Sequence, residues 1–291
     1  MKSHLDYIKL GEKPLYPICV PSHRDPSTGH TFKHLKNANI KYAYIHIDDT
    51  DNVEEYQKLP YNVCVKPKRT IAEKRFDMVE FHASLGHDWC WFIDDDYLKF
   101  VTKDMNNKLM ELNIGEFFAT AEQFIDIEKD WFCKFPVPGF LRFFGKGKKY
   151  EWTEDTIPYM TSSKTNWAGC YGINIKLMTK HGINFDRACP HGCGEDTEII
   201  CHFIKKGLKG KTIKIISAEY DDDKSKSVCW PEDKIQRQKD VYIYLKNKYP
   251  DLIYWDNGKG KNPGRAVFNK TDTEYPEWYT KDNTFKFGSI K

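Results

Sequence analysis

The run Asp88-Trp-Cys-Trp-Phe-Ile93 is apolar almost throughout and leads straight into Asp94, Asp95 and Asp96. A short apolar stretch without alternation belongs to a strand covered on both faces, and such strands lie inside parallel sheets flanked by helices. Two comparable strands precede it. Leu15-Tyr-Pro-Ile-Cys-Val20 closes on Pro21-Ser22-His23-Arg24, and Tyr42-Ala-Tyr-Ile-His-Ile47 closes on Asp48-Asp49-Thr50-Asp51. Asn62-Val-Cys-Val65 reads as a third. Thr70-Ile-Ala-Glu73 has capping-box spacing and opens a helix that runs to Leu85 and stops at Gly86. Strands alternating with helices and ending in polar clusters imply an α/β fold with a mainly parallel sheet. Ligands of such sheets bind beyond the carboxyl ends of the strands, so the clusters after residues 20, 47 and 93 should share one crevice.

Residues 130–170, rich in aromatics, Pro and Gly, read as irregular loops and short strands. Gly194-Glu195-Asp196 opens a second helix, with Ile199, Ile200, Phe203 and Ile204 on one face and Gly207 as its stop. Lys211 to Ala218 reads as one strand, followed by Glu219-Tyr-Asp221-Asp222-Asp223. The expected organisation is one α/β domain over 1–220, its two halves at about 14–100 and about 130–220. An aromatic and basic extension, 221–291, packs on the same domain.

Composition excludes several classes. With 40% hydrophobic and 15% aromatic residues the chain has material for a core, which rules out wholesale disorder. No run approaches the roughly 20 apolar residues of a membrane span. The start, Met1-Lys-Ser-His-Leu-Asp-Tyr7, lacks the apolar block of a secretory leader, so the expectation is a soluble cytoplasmic protein. Nine scattered cysteines, several inside apolar runs, read as reduced buried thiols. Cys189, Cys193, Cys201 and His202 lack a second ligand pair at zinc-finger spacing and are not read as a zinc site. Neither a Walker A motif nor a G-x-G-x-x-G fingerprint is present, and Gly145-Lys-Gly147 lacks the context of either.

Three features carry chemistry. Alternation turns Asp94 and Asp96 the same way at a strand end, and paired carboxylates there favour a hard cation, Mg²⁺ or Mn²⁺, held with phosphate oxygens. The plainer reading is a polar turn, but three adjacent like charges are costly without a counter-ion. Glu195 and Asp196 at a helix start are either caps or, held rigidly beside a bound substrate, a general base. Among the basic residues Lys66, Lys68, Arg69, Lys74 and Arg75, Lys68 and Arg69 lie where they could meet a diphosphate or nucleoside. Lys74 and Arg75 read as a solvated helix face.

These residues together resemble a GT-A-type nucleotide-sugar glycosyltransferase, with a GT-A-like (Rossmann-like) sheet. The matching pieces, in that family's order over about residues 14–220, are Ile18-Cys-Val-Pro-Ser-His-Arg24, the acidic end of strand two, Lys68-Arg69, the D-x-D-like Asp94-Asp95-Asp96, and Gly194-Glu195-Asp196. Pro-Ser-x-Arg followed by F-I-D-D-D further resembles the TET/JBP-associated and bacteriophage DNA glycosyltransferases, which add sugars to hydroxymethylated bases. The resemblance implies that Asp94 lies near the donor ribose and metal with Asp95 beside it, and that Asp96 is the principal ligand of Mn²⁺ or Mg²⁺. It implies Asp196 as catalytic base with Glu195 orienting acceptor or sugar, Pro21, Ser22 and Arg24 framing uracil and ribose, and Asp48 or Asp49 contacting the base. Relatives often place a further metal ligand, commonly His, where this chain has Asp221-Asp222-Asp223, which leaves the third ligand open.

The implied reaction moves glucose or a pentose such as arabinose from a UDP-sugar to a hydroxylated base, 5-hydroxymethylcytosine or similar, in phage-type DNA. Attack opposite the leaving group inverts the anomeric centre. Two basic, aromatic-laced stretches suit a polyanionic acceptor: Lys134, Arg142, Lys146, Lys148 and Lys149 among Phe140, Phe143, Phe144 and Tyr150, and Lys259, Lys261 and Arg265. A base in duplex DNA must be flipped out to be reached, and Trp152, Trp167 or those phenylalanines could fill the gap. The net charge of +3 is modest for a DNA binder. No obligate protein partner is implied. The alternatives are a glycosyltransferase with a protein or glycan acceptor and, lower, a metal-dependent nuclease or a DNA-binding module. A sugar-phosphate nucleotidyltransferase is disfavoured because Pro21-Ser-His-Arg-Asp25 is not its Gly-rich loop.

Overall fold

A computed structural model describes residues 11, 13–23, 25–103, 108–135, 159–162, 169–213, 215–220, 234–256 and 265–268. The first four strands are β1 (Ile18–Pro21), β2 (Ala43–Asp48), β3 (Asn62–Lys66) and β4 (Trp89–Ile93). Between them run α1 (His30–Asn37), α2 (Val53–Gln57) and α3 (Ile71–Ser84). Then follow β5 (Tyr97–Lys103), β6 (Leu109–Leu112), α4 (Ile114–Glu122), β7 (Phe132–Lys134), β8 (Tyr159–Ser162), β9 (Cys170–Asn174) and α5 (Ile175–His181). A 3₁₀ turn at Pro190–Gly192 leads into α6 (Glu195–Lys205). Next come β10 (Gly210–Ile213), β11 (Ile216–Tyr220), α7 (Lys234–Lys248), β12 (Ile253–Asp256) and β13 (Arg265–Phe268).

Eight strands form one sheet in the order β3-β2-β1-β4-β9-β7-β10-β8. β1 pairs in parallel with β2 and β4, β2 with β3, and β7 with β10. β9 enters antiparallel between β4 and β7. The mainly parallel α/β sheet expected from the sequence is thus present, and β4 sits inside it with all five residues buried. Strand alternation divides the core into two layers. Trp89, Trp91 and Ile93 join Ile18, Val20, Ile45, Phe117 and Phe118 on one face. Cys90 and Phe92 join Cys19, Met78, Tyr171 and Ile173 on the other. The first layer is aromatic: Trp91 stacks on Phe118 at 4.8 Å between ring centres.

The Thr70 capping box is formed, Glu73 reaching back to the Thr70 N–H, and the α3 helix ends before Gly86 at φ +74°. The single strand read over Lys211–Ala218 is instead two strands in two sheets. β10 stays in the large sheet, while β11 pairs antiparallel with β5 in a three-stranded sheet ordered β11-β5-β6. The bend is held by Thr102, whose hydroxyl donates to the Ile215 carbonyl at 2.7 Å. In the C-terminal part, Val241, Leu245 and Tyr249 are buried in the same core cluster as Ile199, Ile200 and Phe203 of α6. β12 and β13 form an antiparallel pair. None of the eight described cysteines is in a disulfide. Among the described residues no helix is long and apolar enough to cross a membrane.

Candidate active site

Because β1 runs beside β4 in register Ile18 to Trp91, the Pro21-Ser22 end of one strand and the Asp94-Asp95-Asp96 end of the other emerge together. Asp95 turns inward. Its carboxylate accepts a hydrogen bond from the buried Ser22 hydroxyl, which also lies 2.6 Å from the Tyr56 hydroxyl of α2. Thr31 of α1 fixes the turn from the other side: its hydroxyl donates to the Asp94 carbonyl at 2.7 Å and its N–H to the Asp95 carbonyl at 3.2 Å. Asp94 and Asp96 remain partly exposed at the strand end. Opposite Asp94, the Gly169 carbonyl accepts the Asp94 N–H at 2.8 Å. A Cβ at Gly169 would lie 1.9 Å from Asp94 Oδ2, so only glycine leaves the carboxylate its place.

The second acidic pair reaches the same place from a hundred residues away. Gly194, at φ +79°, caps α6 in the left-handed region, and a Cβ there would also strike Val241 Cγ1 at 2.4 Å. Glu195 is buried at the helix start, and Asp196 follows it half-buried. One side chain joins the two motifs. Arg75, buried on α3, gives one guanidinium nitrogen to Glu195 and the other to Asp94 Oδ1 at 3.3 Å, and its guanidinium lies 5.6 Å from the Tyr171 ring centre. Burial pushes the Glu195 carboxyl up to about 7 despite Arg75, with Asp196 and Asp94 adding to the rise. Burial likewise raises Asp94, against Arg75 and with help from Asp95 and Asp196. Asp196 Oδ1 accepts the Thr197 N–H at 2.7 Å, while Oδ2 makes no hydrogen bond among the described residues. Asp196 is thus held at one oxygen and open at the other.

A third cluster stands at the ends of β2 and β3. Buried Asp48 accepts from Arg69 at 3.2 Å and faces Lys74 Nζ at 3.2 Å. Arg69 also donates to Asp77 at 2.8 Å and to the Ile47 carbonyl at 3.2 Å. Lys74 reaches the Ser22 carbonyl at 2.9 Å, which ties this cluster to the first. Asp49 is exposed and accepts the Lys68 N–H at 3.1 Å.

Hydrogen bonds and ion pairs therefore link the ends of β1, β2 and β4 with the start of α6: Ser22 meets Asp95, Lys74 joins Asp48 to the Ser22 carbonyl, and Arg75 joins Asp94 to Glu195. Lys74 and Arg75 correct the sequence reading. They are not a solvated face but are 4% and 7% exposed, drawn inward because Asp48, the Ser22 carbonyl, Glu195 and Asp94 compensate their charge. The signal that finds them is position. Ala72, Arg75, Met78, Val79 and His82 form one buried helical stripe, and a charge on such a stripe has a partner. Tyr56, Thr31, Gly169 and Tyr171 were also missed; each supports the site through tertiary contact alone.

Lys134, read as part of a basic surface, is instead buried in β7, and burial lowers its ammonium to about 7. Arg24, Arg142, Lys146, Lys148, Lys149, Lys259, Lys261, Trp152, Trp167 and Asp221-Asp222-Asp223 lie outside the described residues, and Arg265 opens β13. Cys189, Cys193, Cys201 and His202 do not gather as a ligand set among the described residues. Asp94 and Asp96 are the partly exposed carboxylates at the β4 end that could hold a hard divalent cation. They offer only oxygens, and the neighbouring Asp95, Glu195 and Asp196 raise the local negative charge that such an ion offsets.

Comparison with known proteins agrees with this architecture. No curated protein sequence matches the chain. A mannosyltransferase from Pyrobaculum calidifontis, PcManGT, solved with GDP-Man and Mn²⁺, superposes with a TM-score of 0.51 at 11% identity, over 88% of this chain and 69% of its own. A structure of GalNAc-T7 with UDP, GalNAc and Mn²⁺ gives 0.45 at 10% identity, over 81% of this chain and 49% of its own. The sequence profile of a family described as TET-associated glycosyltransferases matches residues 16–213, which spans the large sheet, the Asp94 to Asp96 turn and the start of α6. The fold is that of the GT-A glycosyltransferases, and the chain belongs to the TET-associated glycosyltransferase family.

Proposed function

We propose that the enzyme transfers a sugar from a UDP-sugar to a hydroxylated base, 5-hydroxymethylcytosine or a close relative, in DNA, with inversion at the anomeric carbon. The observation that carries this reading is Arg75, which bridges the carboxylates at the end of β4 to those at the start of α6. A donor-holding motif and a base-bearing motif are thereby held side by side. In this reading Asp94 and Asp96 hold Mn²⁺ or Mg²⁺, which supplies charge neutralisation for a diphosphate leaving group. Pro21, Ser22 and Arg24 frame the nucleoside, Asp48 or Asp49 contacts its base, and Lys68 and Arg69 line the same edge. Asp95 acts by shaping the turn.

Asp196 takes the proton of the acceptor hydroxyl at its open oxygen as that hydroxyl attacks. Glu195, anchored by Arg75, orients acceptor or sugar. Support for DNA as acceptor is the family's association with TET and the basic, aromatic-laced stretches at 134–150 and 257–265, from which Lys134 is withdrawn. In the same reading residues 1–220 are the catalytic unit and 221–291 an extension, of which Val241, Leu245 and Tyr249 are buried in the core cluster shared with α6.

The test is nucleoside mass spectrometry after incubation with Mn²⁺ or Mg²⁺, a panel of UDP-sugars, and duplexes carrying either 5-hydroxymethylcytosine or cytosine. A hexose or pentose mass added to the hydroxymethylated base alone is the expected result. Metal-dependent UDP release without an adduct moves the acceptor to a protein or glycan. Absence of both an adduct and UDP release overturns the donor assignment.

A further inference from the structure

Behind the crevice, on the sheet face covered by α3, a second set of ligand-type side chains meets in the apolar core. Cys19 of β1, Cys90 of β4 and His82 of α3 are all buried, and one ligand atom of each lies within 4.8 Å of the other two. Cys19 Sγ is 3.0 Å from His82 Nε2. His46 of β2, also buried, places its Nε2 3.3 Å from the same His82 nitrogen. Cys19 and Cys90 belong to the same apolar cluster as Met78, Val79 and Phe92, and the imidazoles lie against the rings of Tyr44 and Phe81. Two thiols and two imidazoles converging in such a core have few other partners, and apolar side chains of the same size would fill the space at lower cost.

The ring nitrogens facing away are also organised. His82 Nδ1 lies 2.8 Å from His87 Nδ1, and His87 Nε2 lies 2.8 Å from the Tyr42 hydroxyl. Two proton assignments satisfy this chain. Tyr42 donates to His87 Nε2 and His87 to His82 Nδ1, or His82 donates from Nδ1 to His87 and His87 from Nε2 to Tyr42; the second leaves His82 Nε2 as a bare lone pair aimed at Cys19 and His46, and it is the one a bound cation would select. A histidine whose outer N–H is anchored while its inner nitrogen is bare is arranged as metal-binding histidines are.

We propose that Cys19, Cys90 and His82, with His46 as fourth donor, bind one zinc-class cation in a closed structural site. Sulfur and imidazole donors select Zn²⁺ over the hard cations suited to Asp94 and Asp96, so this site is chemically separate from the donor crevice. Binding exchanges two S–H bonds for two sulfur–metal bonds and releases two protons to solvent, with no change of oxidation state. The ligands come from three neighbouring strands and from α3, so the ion pins that helix to the sheet. His82 lies two helical turns beyond Arg75, roughly 10 Å along the axis. The pin therefore sits on the element that presents Lys74 and Arg75 to the crevice. The proposal stands apart from the acceptor and donor assignments.

The experiment is metal analysis of the full chain purified from zinc-supplemented culture, followed by stripping and reconstitution with Co²⁺. About one zinc per chain is expected, together with an intense near-ultraviolet thiolate-to-Co²⁺ band and the visible bands of a tetrahedral ion. The metal should persist in Asp94→Asn/Asp96→Asn and disappear in Cys19→Ser/Cys90→Ser. Background zinc with no sulfur band on Co²⁺ addition overturns the site, as does zinc retained by the Cys19→Ser/Cys90→Ser variant. So does loss of zinc in the aspartate variant, which would place the metal in the crevice instead. Should the cysteine variant not fold, the Co²⁺ spectrum of the unaltered chain decides alone.

Discussion

Arg75→Met is the most informative single change, because it removes one charge from between two acidic motifs and keeps much of the volume. The magnitude follows from burial. The Arg75 and Glu195 side chains are 8% and 4% exposed, so their contact is little screened by solvent. Asp94 is 37% exposed, and its share is discounted. Removing one partner of a buried pair costs about 3–5 kcal/mol where the other charge stays buried; Glu195, already raised to about 7, takes up a proton when Arg75 is lost, so that cost is read at alkaline pH. For a domain of this size each kcal/mol moves Tm by about 2–4 °C, so a fall of roughly 6–20 °C is expected. A double-mutant cycle with Glu195→Gln isolates the pair. The amide leaves no bare charge, so Arg75→Met should cost about 2 kcal/mol less in that background, inside the usual span for contacting residues.

Arg75→Lys separates fork from charge, since a single ammonium cannot reproduce the two-pronged donation to Glu195 and Asp94. It should recover part of the stability and little of the activity. The assays are thermal or urea denaturation of the four proteins of the cycle, with sugar transfer measured on those that fold. Single effects that add within about 0.5 kcal/mol would refute the coupling. Full activity in a folded Arg75→Met protein would remove the bridge from the catalytic argument.

Further consequences follow from the same geometry. Asp196→Asn should lower kcat by about 10²–10⁴-fold while donor binding by calorimetry is unchanged, and intact transfer in that variant would exclude Asp196 as base. Gly169→Ala should displace the Asp94 carboxylate, since the new Cβ would fall 1.9 Å from its oxygen. A Mn²⁺ titration followed by electron paramagnetic resonance should then show affinity weakened by about 10–100-fold, and wild-type affinity would disprove the contact. Lys134 has its ammonium lowered from 10.5 to about 7 by burial. Below 7 both folded and unfolded chains hold that proton, and the fold carries the full cost of a buried charge. From 7 to 10.5 the unfolded chain binds more protons, so stability rises with pH. Lys134→Met should accordingly raise Tm by several degrees at pH 6 and by less at pH 9; equal shifts at both would refute the burial argument.

What was legible in the sequence is what local periodicity records. An unbroken apolar run can only be an inner strand, a Thr-x-x-Glu box before a helix can only be its start, and both lie where expected in β4 and α3. Carboxylates that follow strand ends arrive at the crevice automatically once the strands are parallel. The rest depended on partners distant in sequence. β9, Cys-Tyr-Gly-Ile-Asn, contains two poor strand formers and is a strand because β4 and β7 pair with it on either side. The break between β10 and β11 is set by β5 pulling the chain into a second sheet, for which the residues 211–218 carry no local mark. Arg75 looked solvated because a charged helical residue ordinarily is, and only the stripe it shares with Met78 and His82 speaks against that.

The three consecutive aspartates show how one strand end can carry several duties without electrostatic collapse. Alternation separates them: Asp95 goes to the inner side, where the Ser22 hydroxyl takes its charge, and that hydroxyl is itself held near Tyr56. The Ser22 backbone carbonyl is meanwhile bound by Lys74, so the β1 end is fixed from two directions and the turn after β4 inherits that rigidity. With Thr31 holding the carbonyls of both Asp94 and Asp95, the backbone that aims Asp94 outward has little freedom left. Rigidity is what a pair of carboxylates needs if it is to bind an ion rather than repel itself apart, because a loose turn would let them separate into solvent. Asp94 also touches Arg75, and through it Glu195. The spacing Asp-Asp-Asp is therefore not one role repeated three times: the middle residue builds the turn and the first connects it to α6.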